Sequence, residues 1–425
     1  MNVTLSATLA ANEEIARRRR AGERVLHMAF GEAGLPVHPS LRHRLEASSA
    51  SNGYGPVAGT AELREAAAGY WARRGLPTDP ELVVSGPGSK PLLYALLMAI
   101  GGDIVLPRPS WVSYAAQAEL IGVRPLLVPP RPGEGGVPDP ELAAEAVRAA
   151  RAEGRDVRSV LVTLPDNPTG LLPRPETVHR LVEVARELDL TIISDEIYGD
   201  LVHDPLNRCP SPAALAPERT VITTGLSKSL ALGGWRIGVA RLPDRGHDLR
   251  ARMLAIASEI WSSPTAPVQH AAAYAFSEPV ELVRRIAESR RLHATVVRAV
   301  AGLFREAGAA LHMPHGGFYL YPDFGFLTGF ATSDEFAAVL LDRYGVGVLP
   351  GSAFGDDPRA LRVRVATSML YGETTEQRLA ALDAADPVSL PWIADALDHL
   401  AEALSGITGN EVRPVSRRTL ATTSL

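Results

Sequence analysis

A single cysteine, Cys209, stands in 425 residues, which excludes an internal disulfide, and its surroundings match no zinc-ligand or thiol-catalysis pattern. An excess of one charge is missing too. The 43 Lys and Arg and 48 Asp and Glu leave a net charge of -5, so nothing favours nucleic acid or an anionic membrane as a partner. No apolar run reaches spanning length, since the longest candidate, 91–100, is stopped by Gly101-Gly102-Asp103. Low-complexity linkers and short-period repeats are absent. The Arg17–Arg20 cluster reads as a solvated helix face and comes too late for a secretory signal, so the cytoplasm is the expected location. No metal site is expected.

What is present is an ordinary globular composition, 46% hydrophobic and 21% charged, in a chain long enough for one large domain and a smaller one. A helix is expected over 9–21 and a strand over 25–30. Thr60 is placed to cap a helix that runs through Trp71. From residue 81 strands and helices alternate, with helices expected at 89–100, 112–121, 142–152 and 174–188. That rhythm argues an α/β fold with a mainly parallel central sheet. After about 285 the pattern changes to a long helix (280–307), a few strands and two closing helices, which indicates a smaller α+β domain. We divide the chain into an N-terminal segment (1–40) contributing to the small domain, a large domain (41–285), a small C-terminal domain (286–405) and a frayed tail (406–425).

The polar residues fall at strand ends. Gly86-Pro-Gly-Ser-Lys90, Trp111, Asn167, Asp195 and Lys228 each lie at the carboxyl end of an expected strand, where open α/β sheets bind their ligands. Gly86–Lys90 opens a helix, so its amides and dipole suit a phosphate. Trp111 offers a stacking face, Asn167 an amide and Asp195 a carboxylate. Lys228 offers an amine, and Arg236 a planar fork for an anion. Phosphate cradle, ring, carboxylate and amine together describe an aromatic phosphate that forms a Schiff base, which is pyridoxal phosphate.

Several stretches resemble the signatures of class I/II (fold type I) aminotransferases that depend on pyridoxal phosphate. They are Tyr54-Gly-Pro-Val-Ala-Gly59, Pro109-Ser-Trp-Val-Ser-Tyr114, Asn167-Pro-Thr-Gly170, Ser194-Asp-Glu-Ile-Tyr198, Ser227-Lys-Ser with Gly234-Trp-Arg236, and Leu361-Arg-Val-Arg-Val-Ala-Thr-Ser368. They run in family order over roughly residues 10 to 405. The resemblance implies that the large domain binds the cofactor and that Lys228 holds it as a Schiff base and shuttles the proton. Asp195 pairs with the ring nitrogen. Tyr198 and Asn167 reach the ring's phenolic oxygen, and Trp111 stacks on the ring. Gly88, Ser89, Lys90, Ser227 and Arg236 carry the phosphate. It further implies that Gly31 and Arg362 receive the substrate α-carboxylate, with Asn167 beside them. Tyr54 would reach the phosphate of a neighbouring subunit in a homodimer with shared active sites. Arg364, two residues beyond Arg362, is expected on the other side of the strand and is given no role. Trp261, Phe318 and Tyr319 are assigned to core packing.

The chain departs from the family pattern at Gly31-Glu-Ala-Gly-Leu35, which lacks a Pro-Asp, at Gly88-Ser-Lys-Pro-Leu92, and at Asp166, where a small residue is usual. These departures lie toward the substrate end. The implied reaction transfers an α-amino group between an L-amino acid and a 2-oxo acid through a pyridoxamine form. A cyclase, lyase or oxidase using the same cofactor is the alternative. A third reading, an amino-acid-sensing regulatory domain, would need a DNA-binding module, and about 25 residues before the first core strand are too few for one.

Overall fold

The computed structural model of the chain describes residues 5–207 and 209–412. The chain enters through α1 (Ala7–Arg20), the two-residue strand β1 (Leu26–His27), α2 (Pro39–Ala47) and α3 (Ala61–Arg73). Thr60 Oγ1 caps α3 by accepting from Leu63 N at 3.3 Å, as its position before Glu62 and Leu63 led us to expect. The alternating stretch follows: β2 (Val83–Gly86), α4 (Ser89–Ile100), β3 (Asp103–Pro107), α5 (Val112–Leu120), β4 (Pro125–Val128) and α6 (Pro140–Ala152). It continues with β5 (Val157–Thr163), α7 (Pro175–Glu187), β6 (Thr191–Asp195), β7 (Thr220–Gly225), the short α8 (Leu226–Ser229) and β8 (Gly238–Arg241).

Seven of these strands form one sheet in the order β2-β8-β7-β6-β5-β3-β4. All neighbours are parallel except β8, which runs antiparallel to both β2 and β7. The inner parallel strands β3, β6 and β7 are buried on both faces and read as largely apolar runs, whereas the edge strand β4 exposes Leu127. Helix α7 covers the sheet with Val178, Leu181, Val182 and Ala185, an i, i+3, i+4, i+7 stripe. Helix α4 buries Leu92, Leu93, Leu96 and Leu97 on more than one side, and each such leucine contributes roughly 1.5–3 kcal/mol of transfer energy.

The remainder comprises α9 (His247–Ile260), α10 (Ala266–Phe276), α11 (Val280–Glu306), β9 (Tyr319–Leu320), α12 (Ser333–Tyr344) and β10 (Val346–Gly347). Then come β11 (Leu349–Pro350), β12 (Val363–Ala366), α13 (Thr375–Asp383) and α14 (Pro391–Thr408). Helix α11, 27 residues and about 40 Å long, joins two cores. Leu282 near its start packs with α3 and α10, whereas Leu292 to Phe304 pack with β9, β12 and α14. Leu26, Met28, Ala33 and Leu35 of the N-terminal segment belong to that second cluster.

Two expectations change. The strand expected over 25–30 shortens to β1, which pairs in parallel with β10, because the chain then turns into the loop at Gly31. In the stretch expected to fray from 406, residues 406–408 finish α14, Asn410 Nδ2 donates to Ala307 O at 2.8 Å, and Val412 is buried. Residues 413–425 lie outside the described residues.

Candidate active site

A cavity of about 450 Å³ opens where the carboxyl ends of β5, β6 and β7 face the second core. Lys228, on α8 immediately after β7, lines it, and its Nζ donates to Gly31 O. Burial, then the nearby Arg364 guanidinium, push the lysine down to about 8. Asp195 ends β6. Its Oδ2 accepts from Tyr114 Oη at 2.8 Å and its Oδ1 from Thr223 Oγ1 at 3.2 Å. Burial raises this carboxyl to about 6 against those hydrogen bonds. Among the described residues no cation bridges it.

Arg236 follows a tight Gly233–Trp235 turn and takes the left-handed conformation, φ 52°, rare for a residue with a side chain. It is exposed in part, and Nη1 donates only to Gly233 O, at 2.8 Å. The guanidinium faces the start of α4, where Gly88 (φ 97°) has no side chain because any Cβ would overlap Arg236 Nη2. Helix α4 has no side-chain cap, so its first amides stay open beside this arginine and Ser227. Ser89 and Lys90 line the cavity with Trp111. Lys90 Nζ lies 4.9 Å from the centre of the Trp111 ring, without an acidic partner among the described residues.

An aromatic phosphate with a basic ring nitrogen fits these groups. The buried Asp195 carboxylate awaits a cation, the Arg236 and α4 corner awaits an anion, and the Gly88 cradle would be filled by a Cβ.

Of the two neighbouring arginines, the one expected in the site lies outside the cavity lining and the other lines it. Arg362 does not line the cavity. Its Nε donates to Asp323 Oδ2 at 2.8 Å and its Nη1 to Asp356 Oδ2 at 3.0 Å, so it is already neutralised. Arg364 is the arginine inside, 1% exposed. Its Nη1 donates to Asn167 Oδ1 at 3.3 Å and its Nη2 to Ala29 O, while its buried Nε has no partner. Tyr319 and Phe354 flank it, ring centres 4.8 and 5.0 Å from the guanidinium carbon. Residues two apart on a regular strand share a face, so strand alternation was the wrong reason to expect the two arginines apart, although they do part. The two arginines diverge because β12 begins only at Val363, and Arg362 sits in a bridge to Asp323 before it.

Gly31, Asn167 and Tyr198 line the cavity as expected. Tyr54 does not; it projects from the loop before α3, 94% exposed. Asp166 is buried but outside the cavity lining, and burial raises it to about 7. Trp261 and Phe318 pack in the core, whereas Tyr319, expected there as well, lines the cavity. Sequence reasoning missed Tyr114 as well, although its place three residues after Trp111 on a new helix was a usable signal. It also missed Thr8, whose Oγ1 is buried in the cavity wall without a partner. No local pattern announces that α1 folds back over the site. No group of His, Cys, Asp and Glu among the described residues could hold a metal ion.

The family model for aminotransferases of class I and II matches residues 31–374. An aspartate aminotransferase of Geobacillus stearothermophilus is 33% identical over 393 residues, 89% of this chain and 96% of the relative. A probable aspartate/prephenate aminotransferase of Thermus aquaticus is 33% identical over 355 residues, 82% of this chain and 89% of the relative. Among solved structures, the Thermus thermophilus aspartate aminotransferase with maleate has a TM-score of 0.79 at 28% identity, covering 94% of this chain and 97% of that one.

Proposed function

The chain belongs to the class I and II aminotransferases, and from its cavity we propose that it binds pyridoxal phosphate and acts on aspartate-like dicarboxylic amino acids. As an aminotransferase it moves the α-amino group between an L-amino acid and a 2-oxo acid. The observation that carries the proposal is a set of charges left open in one cavity: Asp195, Arg236 and Arg364 lack ion-pair partners among the described residues, and Lys228 stands between them.

When bound, pyridoxal phosphate supplies an aldehyde that captures the amino group and a ring that takes up the electrons left at the substrate Cα. Lys228 Nζ attaches the cofactor. Freed by a substrate amine, it would be the base placed to move the proton at the substrate Cα. Held near 8, it has a usable neutral fraction around neutral pH. Asp195 would hold a protonated ring nitrogen, whose charge would offset the cost of the buried carboxylate. Arg236, Ser227 and the amides of Ser89 and Lys90 would hold the phosphate, whereas the Gly88 amide is taken by Gly86 O at 2.7 Å and Gly88 serves by lacking a side chain. Trp111 would stack on the ring, while Asn167 and Tyr198 would meet its phenolic oxygen. Arg364, rather than Arg362, clamps the α-carboxylate bidentately, with Gly31 alongside. Lys90 Nζ and Thr8 Oγ1, both lacking a hydrogen-bond partner in the cavity wall, suit a second carboxylate.

The fully exposed Tyr54 supports a homodimer in which it reaches the partner's phosphate. The packing of residues 26–35 with the C-terminal core supports the small-domain division given above. No described helix is long and apolar enough to cross a membrane, and the cytoplasm is the location we propose. The cyclase, lyase and oxidase alternative is not favoured, because the relatives named above are aminotransferases.

The test is a half-reaction. Cofactor-loaded enzyme is mixed with L-aspartate without acceptor, in air and without oxygen. One 2-oxo acid released per site, with no oxygen uptake and with turnover only when a 2-oxo acid is added, is the expected result. Oxygen consumption, or a cyclised or eliminated product, would overturn it.

A further inference from the structure

Tyr319 touches three parts of the cavity at once. It opens β9, is 1% exposed and lines the site. Its Oη lies 2.8 Å from Tyr198 Oη, with the two rings edge to face at 5.5 Å. The Arg364 guanidinium carbon stands 4.8 Å from its ring centre. Gly31 passes so close that a Cβ there would overlap Tyr319 Oη. One phenol therefore meets the carboxylate end, the ring-oxygen end and the loop over both.

We propose that Tyr319 is a positioning residue that donates its hydroxyl proton to Tyr198 Oη, leaving the Tyr198 proton free to point into the cavity. This inference rests on the cofactor reading above.

Each phenol has one proton, so a facing pair makes one hydrogen bond, and the direction of that bond decides what the other phenol offers to a ligand. If Tyr198 donated to Tyr319, it could only accept from a ligand. Arg364 lies against the Tyr319 ring and favours negative charge there, which makes Tyr319 the better donor. Burial raises both phenols; at Tyr319 the Arg364 guanidinium opposes that rise ahead of any other group, while at Tyr198 the facing Tyr319 adds to it. A hydroxyl that accepts one bond also donates more strongly through its own proton. The glycine at 31 is then a requirement of the arrangement, since a methyl there would push Tyr319 Oη away from Tyr198. Tyr321, two residues on along the chain, donates instead to Asp356 Oδ2 at 3.0 Å and lies outside the cavity lining.

The experiment follows the pH midpoint of the cofactor's visible absorption in loaded enzyme without substrate. It compares the unmodified protein, Tyr319→Phe, Gly31→Ala and the double variant. Tyr319→Phe keeps the ring and its packing but removes the proton, so the ring oxygen loses part of its donor. Its midpoint should rise by roughly 0.3–1 pH unit, the scale of one weakened hydrogen bond. Gly31→Ala should raise it in the same direction, and the double variant should match the larger single shift rather than the sum. An unmoved or lowered midpoint in Tyr319→Phe, or additive shifts in the double variant, would overturn the inference. Should Gly31→Ala fail to fold, Tyr319→Phe decides alone. Absence of any visible cofactor band in the unmodified protein would instead count against the cofactor reading.

Discussion

Arg362 and Arg364 stand two residues apart on the same stretch of chain and are handled in opposite ways. Arg362 is half-buried and held by two carboxylates, Asp323 and Asp356. Arg364 is fully buried and has an amide oxygen, a carbonyl and two aromatic faces, but no anion and an unpartnered Nε. Arg241 repeats the first solution, buried and paired with Asp244. Arg362 and Arg241 are neutralised within the chain, whereas Arg364 in the cavity is left for a ligand to neutralise. An unpaired buried charge costs stability, so its retention points to use.

The largest effect expected on this view comes from Lys228→Ala. Activity should fall by roughly 10³–10⁴-fold or more, together with loss of covalent cofactor, checked by mass spectrometry after borohydride reduction. Covalently bound cofactor in that variant would remove Lys228 from its role.

Next come the stabilities of the cofactor-free protein. Asp195 has a folded acidity raised from 3.8 to about 6, so the folded state keeps a proton that the unfolded chain has already lost. Its stabilising protonation is present below 3.8 and is lost as pH climbs to about 6. Asp195→Asn should therefore be more stable than the unmodified protein at pH 7, by about 1–3 kcal/mol, and less sensitive between pH 5 and 7. Urea unfolding at the two pH values measures both, and equal pH slopes in the two proteins would contradict the assignment. The same measurement should separate the two arginines by sign. Arg362→Met, which strands two carboxylates, should lower stability by about 1–2 kcal/mol, whereas Arg364→Met should leave it unchanged or raise it. Loss of stability in both would end the distinction.

The smallest effect concerns Tyr54. Tyr54→Phe should weaken cofactor binding roughly 3- to 10-fold, the loss of one hydrogen bond to a phosphate. An unchanged cofactor Kd in a confirmed dimer would place the residue outside the site.

The meeting of Asp195, Asn167 and Lys228 in one cavity was legible in the sequence, because they lie at the ends of short apolar strands in a regular alternation, and strand ends in such a sheet converge. The helices at 89–100 and 280–307 were legible within a residue because long periodic patterns leave little choice of boundary. The arginine that joins them was not. Which of Arg362 and Arg364 turns inward depends on where β12 begins, and that is set by pairing with β9 and β11, strands of two residues each with no readable period. Tyr319 looked like core because it is core by exposure. Only its contact with Tyr198, 121 residues away, gives it a polar task. Thr8 belongs to the site through the packing of α1 across the cavity, a tertiary fact with no local trace.

The most direct measurement is the pair of KM values for L-aspartate in Arg364→Ala and Arg362→Ala, taken side by side with kcat. Removal of a buried charged pair to the substrate carboxylate should raise KM or lower kcat/KM in Arg364→Ala by roughly 30- to 1000-fold, while Arg362→Ala stays within about threefold of the unmodified enzyme. A large defect in Arg362→Ala with Arg364→Ala nearly normal would return the carboxylate to the motif arginine. It would also contradict the reading of the unpaired arginine as the working one.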